Sequence, residues 1–230
     1  MNVQKRNNSG FSRVELLVVV VTTTLIFFIG INNLHGIDRK KHVSYCKYNL
    51  TQIYQALTAF KTDKEDKFPW QVAEKNGGSF EYLPKTESPN SYKHWLTLSK
   101  YLDHPKVFRC AVDVNRHTAN SWLDFTNSTS FSYFIATESE PNGPDYIISG
   151  DRNITFGKYN NDNDMKSTAI EFKRKFTAKK TPFWTGSLHN NSGILLMGNG
   201  STPFVGNVGL NRELLYSRNP RNIFHFPSGK

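Results

Sequence analysis

Sulfur is scarce in this 230-residue chain, which holds 2 cysteines and 3 methionines. Two cysteines cannot make a disulfide scaffold. Several catalytic signatures are missing as well: there is no Gly-x-Ser-x-Gly, no phosphate-binding loop, no His-Glu-x-x-His and no Cys-x-x-Cys, and the 7 histidines are scattered. No enzyme, cofactor or metal reading follows from such a chain. Acidic residues are in deficit, 19 against 29 basic ones, for a net charge of +10. A mean hydropathy of −0.53 excludes a multi-pass membrane protein, and 13% aromatic residues exclude a disordered one. The length suits one domain with an appendage.

A basic surplus first suggests a nucleic-acid binder, but its placement argues otherwise. Lys5, Arg6, Arg13, Arg39, Lys40, Lys41, Lys47 and Lys61 stand against Glu15 and Asp38 in the first 61 residues. Most of the excess therefore brackets one apolar segment, the rest of the chain is nearly balanced, and nucleic acid is not expected as a partner. That segment, Val14 to Ile31, reads VELLVVVVTTTLIFFIGI with Glu15 as its one charge. As helix it covers roughly 27 Å, close to a bilayer's hydrocarbon core. A secretory signal peptide is the competing reading, but no small-x-small cleavage site follows the run, so an uncleaved single-pass anchor is expected. Basic residues flank both ends about equally, and the positive-inside rule gives no orientation.

Glu15 is the odd residue, since a carboxylate at midplane costs about 2.5 to 3.5 kcal/mol and asks for a partner. The residues around it, Gly10-Phe11-Ser12-Arg13-Val14-Glu15-Leu16-Leu17, resemble the processing site of type IV prepilins and type II secretion pseudopilins. The resemblance implies a basic leader cut after Gly10 by a prepilin peptidase, N-methylation of Phe11, and use of Glu15 in assembly with other pilin or pseudopilin subunits. Cutting there would place a cationic amine at Phe11, one helical turn from Glu15, able to pair with the Glu15 of a neighbouring subunit. Ser12 and Arg13 depart from the usual Thr and aliphatic residue.

Beyond the apolar run, Val43, Cys46, Leu50, Ile53, Leu57 and Phe60 recur at spacings of three and four, the core-facing stripe of an amphipathic helix. Helix is expected from about Ser12 to Lys61, ended by the charged stretch before Pro69. Three further segments, Cys46 to Leu57, Asp66-Lys67-Phe68-Pro69-Trp70 and Pro105 to Asp113, look like a pseudopilin-like group abundant in Verrucomicrobia, Lentisphaerae and Planctomycetes. Its heads typically carry His, nine residues, then Asp-Gly. Here His189 is followed at that spacing by Asn199-Gly200, with Asn in place of Asp. The likeness extends to Gly150-Asp151-Arg152-Asn153 and Asn222 to Pro227. From the residues alone, the same segment is a hairpin: Ile194 to Met197 and Thr202 to Val205 flank an Asn-Gly turn that accounts for Asn199 and Gly200, with His189 hydrogen-bonding a neighbouring loop.

Strands are further expected at Ser130 to Ala136, Asp145 to Ser149 and Thr168 to Phe176, and a short helix around Leu210, Leu214 and Leu215. An antiparallel sheet follows from the Gly- and Asn-rich joints. Cys46 and Cys110 are candidates for a disulfide whose loop of about 65 residues would contribute around 4 kcal/mol, two buried free thiols being the alternative. Lys173-Arg174-Lys175 with Lys179-Lys180 reads first as a solvated face. Asn160 to Asp164 offers oxygen ligands without the full calcium-loop spacing.

The sequence as a whole thus predicts an α+β, pilin-like chain: a long N-terminal α-helix, half in the membrane and half stalk, packed on an antiparallel β-sheet head. Residues 1–10 form the leader, 11–37 the transmembrane half and 38–230 the head with the second half of the helix. The expected function is a structural subunit of a type IV pilus or type II secretion pseudopilus-like filament. It would be held by inner-membrane lipid as a single-pass protein, with the head in the periplasm or at the cell surface. The alternative is a non-filamentous, membrane-anchored envelope protein that binds glycans or other polymers; an envelope glycan or a secreted cargo is the further partner expected.

Overall fold

A computed structural model describes residues 12–83, 87, 89–137, 146–162, 168–172, 181–217 and 222–227. The chain divides into two units, Met1–Lys41 and His42–Lys230. Helix α1, Arg13–Asp63, contributes to both.

In the first unit α1 opens with a reciprocal cap. Ser12 N–H donates to Glu15 Oε2 at 2.8 Å, and Glu15 N–H donates to Ser12 Oγ at 3.3 Å, satisfying two amides that a helix start leaves open. Thr22, Thr23 and Thr24 return their hydroxyls to the carbonyls of Val18, Val19 and Val20. The side chains from Val14 to Ile29 are exposed on every face.

The expected membrane half of the helix is corrected here. Among the described residues no helix is long and apolar enough to cross a membrane. The described apolar side chains run from Val14 to Ile29, about 24 Å of helix against roughly 30 Å of hydrocarbon. Glu15 and three consecutive threonines lie within that run. The pilin-like division into membrane and stalk halves, the transmembrane helix and the single-pass inner-membrane placement all rested on a longer uninterrupted span.

In the second unit the stripe of α1 is buried as its spacing requires: Cys46, Leu50, Ile53, Leu57 and Phe60 are at most 1% exposed. The helix ends two residues beyond the expected Lys61. The chain turns there through Glu65 and Asp66, both at positive φ, with Asp66 N–H on the Lys61 carbonyl and its carboxylate on Lys61 Nζ. Short 3-10 turns and helix α2, Tyr92–Leu96, follow.

Nine strands are described: β1 (Tyr133–Ala136), β2 (Ile147–Asp151), β3 (Ile154–Phe156), β4 (Tyr159–Asn160), β5 (Thr168–Phe172), β6 (Phe183–Trp184), β7 (Ser192–Met197), β8 (Phe204–Gly206) and β9 (Asn222–Phe226). Six form an antiparallel sheet in the order β5-β9-β1-β2-β7-β8, and β4-β3-β6 form a smaller one. The α+β class and the antiparallel pairing are as expected. Strand β9, last in the chain, enters between β5 and β1, an order no local pattern reveals.

Alternation sends neighbouring residues to opposite faces. Tyr133, Ile135, Ile148, Ile194 and Leu196 join the stripe of α1 in one core. Phe134, Ala136, Ile147, Leu195 and Met197 join Phe224, Phe226 and Trp184 in the other, with Leu210 and Leu214 of helix α3, Asn207–Tyr216. The sheet is covered on both sides, which explains why β1 and β7 carry unbroken apolar runs, Tyr133–Ala136 and Ile194 to Met197, rather than alternating with polar residues.

Candidate functional site

Where α1 crosses the sheet, a cluster of polar and sulfur side chains interrupts the first core. Cys46 reaches from α1 to Cys110, and the two are joined by a disulfide with a Cα–Cα distance of 5.4 Å. A 3-10 turn at Pro105–Phe108 delivers Cys110. Asn49, one turn along α1, holds that loop by donating to the Arg109 carbonyl at 3.1 Å. The next turn, Asp113 N–H to the Cys110 carbonyl, brings the Asp113 carboxylate inward.

His189 meets the disulfide from the opposite side, its Nε2 at 3.4 Å from Cys110 Sγ and 3.5 Å from Asp151 Oδ2. It is 5% exposed, and its ring stands edge-on to Phe204. Asn190 and Asn191, which follow it, both take positive φ, 54° and 59°. Asparagine tolerates that region better than most residues, and the pair reverses the chain from His189 into β7.

Asp151 ends β2 and is fully buried. Its Oδ2 accepts the Ile194 N–H at 2.7 Å, and its Oδ1 has no hydrogen-bond partner among the described residues. Burial, reinforced by the Asp113 charge, pushes its carboxyl up to about 8, against the opposing pull of the Ile194 amide and Arg152. It is therefore mostly protonated at pH 7.

Arg152, next in sequence, faces Asp113 through two bonds, Nε to Oδ2 at 2.7 Å and Nη2 to Oδ1 at 2.8 Å. Its Nη1 donates to Asn161 Oδ1 at 2.7 Å, with Asp162 at 3.7 Å. Burial works to raise the Asp113 carboxyl, but the hydrogen bonds and charge of Arg152, with Arg116, hold it below its usual range. A desolvated pair of this kind survives only when both partners are saturated with hydrogen bonds.

Asn199 and Gly200 lie elsewhere, at the β7–β8 turn. Gly200 N–H closes on the Met197 carbonyl at 2.9 Å, Met197 N–H reaches the Ser201 carbonyl, and only Gly200 takes positive φ, 81°. Gly198 and Asn199 are thus the central residues of the turn and Gly200 follows them, not the expected two-residue Asn-Gly loop. Asn199 Oδ1 accepts from Ser201 N–H at 2.9 Å. The turn rests on α1, where Tyr54 Oη donates to the Gly198 carbonyl.

Gly10 and Phe11 lie outside the described residues, as do Lys173 to Lys180 and Asn163-Asp164 of the candidate oxygen-ligand run. In the part of that run that is described, Asn161 and Asp162 both face Arg152, a cation where a calcium site would need none. Glu15 is exposed and caps its own helix. The structure thus unites Cys46, Cys110 and His189, and leaves Glu15 and the Asn199-Gly200 turn apart from them. Asp113, Asp151 and Arg152 are the additions. They stand in segments that carried the pseudopilin-like resemblance, which was their one signal. The Ser12-x-x-Glu15 cap was legible as a capping-box spacing.

Comparison with known proteins gives no match, whether against family models, curated proteins or solved structures.

Proposed function

We propose that this chain is a prepilin-like structural subunit, cut after Gly10 by a prepilin peptidase and assembled with other subunits of its kind into a filament through residues 14–29. The observation that carries this reading is the exposure of that segment. Leu16, Leu17, Leu25, Ile26, Phe27, Phe28 and Ile29 are 57–69% exposed. A helix that is apolar all round is stable only when it is covered on all sides, and neighbouring copies of the same helix supply that cover.

Glu15 fits the same reading. In the single chain it caps its own first turn; in an assembly its carboxylate faces the new amine of a neighbour's Phe11, so that two charges leaving water do so as a pair. The role is structural, and the chain is a substrate of the processing enzyme.

Two substitutions test the proposal, with the amino-terminal residue read by sequencing and assembly by shearing and sedimentation. Gly10→Ala leaves the full-length precursor uncut, and normal processing of that variant overturns the leader assignment. Glu15→Ala is cut normally but gives little sedimentable polymer; wild-type yield removes Glu15 from the assembly contact.

A further inference from the structure

The disulfide cluster contains more ligand chemistry than a covalent crosslink uses. Cys46 Sγ, Cys110 Sγ and His189 Nε2 all lie within 4.8 Å of one another, and all three residues are buried. Asp151 Oδ2 stands 3.5 Å from the same imidazole nitrogen. Around a tetrahedral zinc, with Zn–S near 2.3 Å and Zn–N and Zn–O near 2.0 to 2.1 Å, donor atoms are separated by about 3.3 to 3.8 Å. The His189–Cys110 and His189–Asp151 distances, 3.4 and 3.5 Å, already fall in that range. The two sulfurs are too close, because they are bonded, and Cys46 Sγ stands up to 4.8 Å from His189 Nε2, farther than a shared ion allows until the bond opens.

We propose that reduction of the Cys46–Cys110 disulfide converts this cluster into a binding site for a thiophilic divalent cation of the zinc class, with Cys46, Cys110, His189 and Asp151 as its four ligands. The chemistry balances simply. A dithiol reductant gives two electrons and two protons to the disulfide and becomes a disulfide itself. The cation then binds the two sulfurs as thiolates and Asp151 as a carboxylate, and three protons, two from the thiols and one from Asp151, pass to solvent. Opening the sulfurs from bond length to about 3.8 Å needs a movement of less than 2 Å between α1 and the Cys110 loop. The carboxylate of Asp151 is held by Ile194 N–H through Oδ2, and its other oxygen has no partner among the described residues, the outer support that orients a metal-bound carboxylate. Phe204, which is 42% exposed, lies edge-on against His189. The crosslink and the cation exclude each other, so α1 is tied to the head by one or the other according to the redox state of its surroundings.

The test uses the full chain, oxidised or reduced with a water-soluble phosphine, titrated with Co2+ and then Zn2+. The reduced protein takes up one equivalent of Co2+ with the visible absorption of a tetrahedral site and a thiolate-to-cobalt charge-transfer band, and Zn2+ displaces it. The oxidised protein shows neither. His189→Ala and Cys46→Ser each weaken Zn2+ binding at least about tenfold. Near-ultraviolet circular dichroism follows folding in parallel. A reduced, folded protein with no stoichiometric complex overturns the proposal, as does His189→Ala binding as tightly as wild type. Should reduction unfold the chain, Zn2+ restores the folded spectrum; failure to restore it also counts against the site.

Discussion

His94 and His225 lie with ring centroids 5.8 Å apart, both nearly inaccessible to water. Burial lowers His94 to about 3, helped by the neighbouring His225 and opposed by a hydrogen bond to the Tyr82 backbone; burial alone lowers His225 to about 4. His94 Nδ1 is 2.8 Å from Ser79 Oγ, and His225 Nε2 is 2.8 Å from Thr137 Oγ1. Both rings are neutral in the folded protein and take up protons near pH 6.5 once unfolded. Their contribution is therefore fully present above pH 6.5 and lost as pH falls from there toward 4. Each ring costs about 1.4 kcal/mol per pH unit in that window. Asp151, whose raised carboxyl stays protonated in the folded protein, gains about as much stability per unit of falling pH as one ring loses, so urea unfolding at pH 7 and pH 5 should show a net loss of about 1 kcal/mol, and His225→Gln should remove most of it. A pH dependence left unchanged by His225→Gln would contradict the buried neutral pair. No sequence signal marked these histidines, because burial comes from α2 and β9 meeting across more than a hundred residues. Cys46, Cys110 and His189 were legible singly, and their meeting was not. The Asp113–Arg152 pair was hidden for the same reason: the partners are 39 residues apart.

At the scale of elements, what local periodicity governs was readable and what strand order governs was not. The stripe of α1, the strands β1, β2, β5 and β7 and the Leu210–Leu214 face of α3 all follow from spacing. The small β4-β3-β6 sheet and the insertion of β9 do not, since a strand two or three residues long has no period to read. The β7–β8 turn falls between these cases: Asn-Gly marked its place, but the hydrogen bonds shift its centre by one residue. Two substitutions separate the roles. A Cβ on Gly200 would stand 2.6 Å from the Tyr54 ring, at a φ of 81°. Gly200→Ala should therefore cost about 1 to 3 kcal/mol, from positive-φ strain together with the lost fit on α1. Asn199→Asp keeps the acceptor for Ser201 N–H, and should change stability by no more than about 0.5 kcal/mol. Thermal melting of both variants decides this. A large loss on Asn199→Asp would mean that the amide also serves a contact outside the turn.

The molecule as a whole assigns its two tasks to separate stretches of chain. Every side chain of the two buried cores lies at or beyond Cys46, and the first flanking residue packed against them is Val43. The disulfide, the Asp113–Arg152 pair and both sheets also lie within His42–Lys230. A chain starting at Lys40 therefore keeps the whole stabilising set and loses helix whose described apolar side chains, from Val14 to Ile29, are exposed. Exposed apolar surface contributes nothing to folding free energy in the single chain and favours association between chains. The expected result is specific: the shortened protein melts within a few degrees of the full chain, forms the Cys46–Cys110 crosslink, and stays monomeric by sedimentation velocity at concentrations where the full chain associates. A shortened protein that associates as strongly as the full chain would move the assembly surface onto the head. One that fails to fold would show that residues before Lys40 support the core. Because head stability and association are read in the same samples, the two failures cannot be confused.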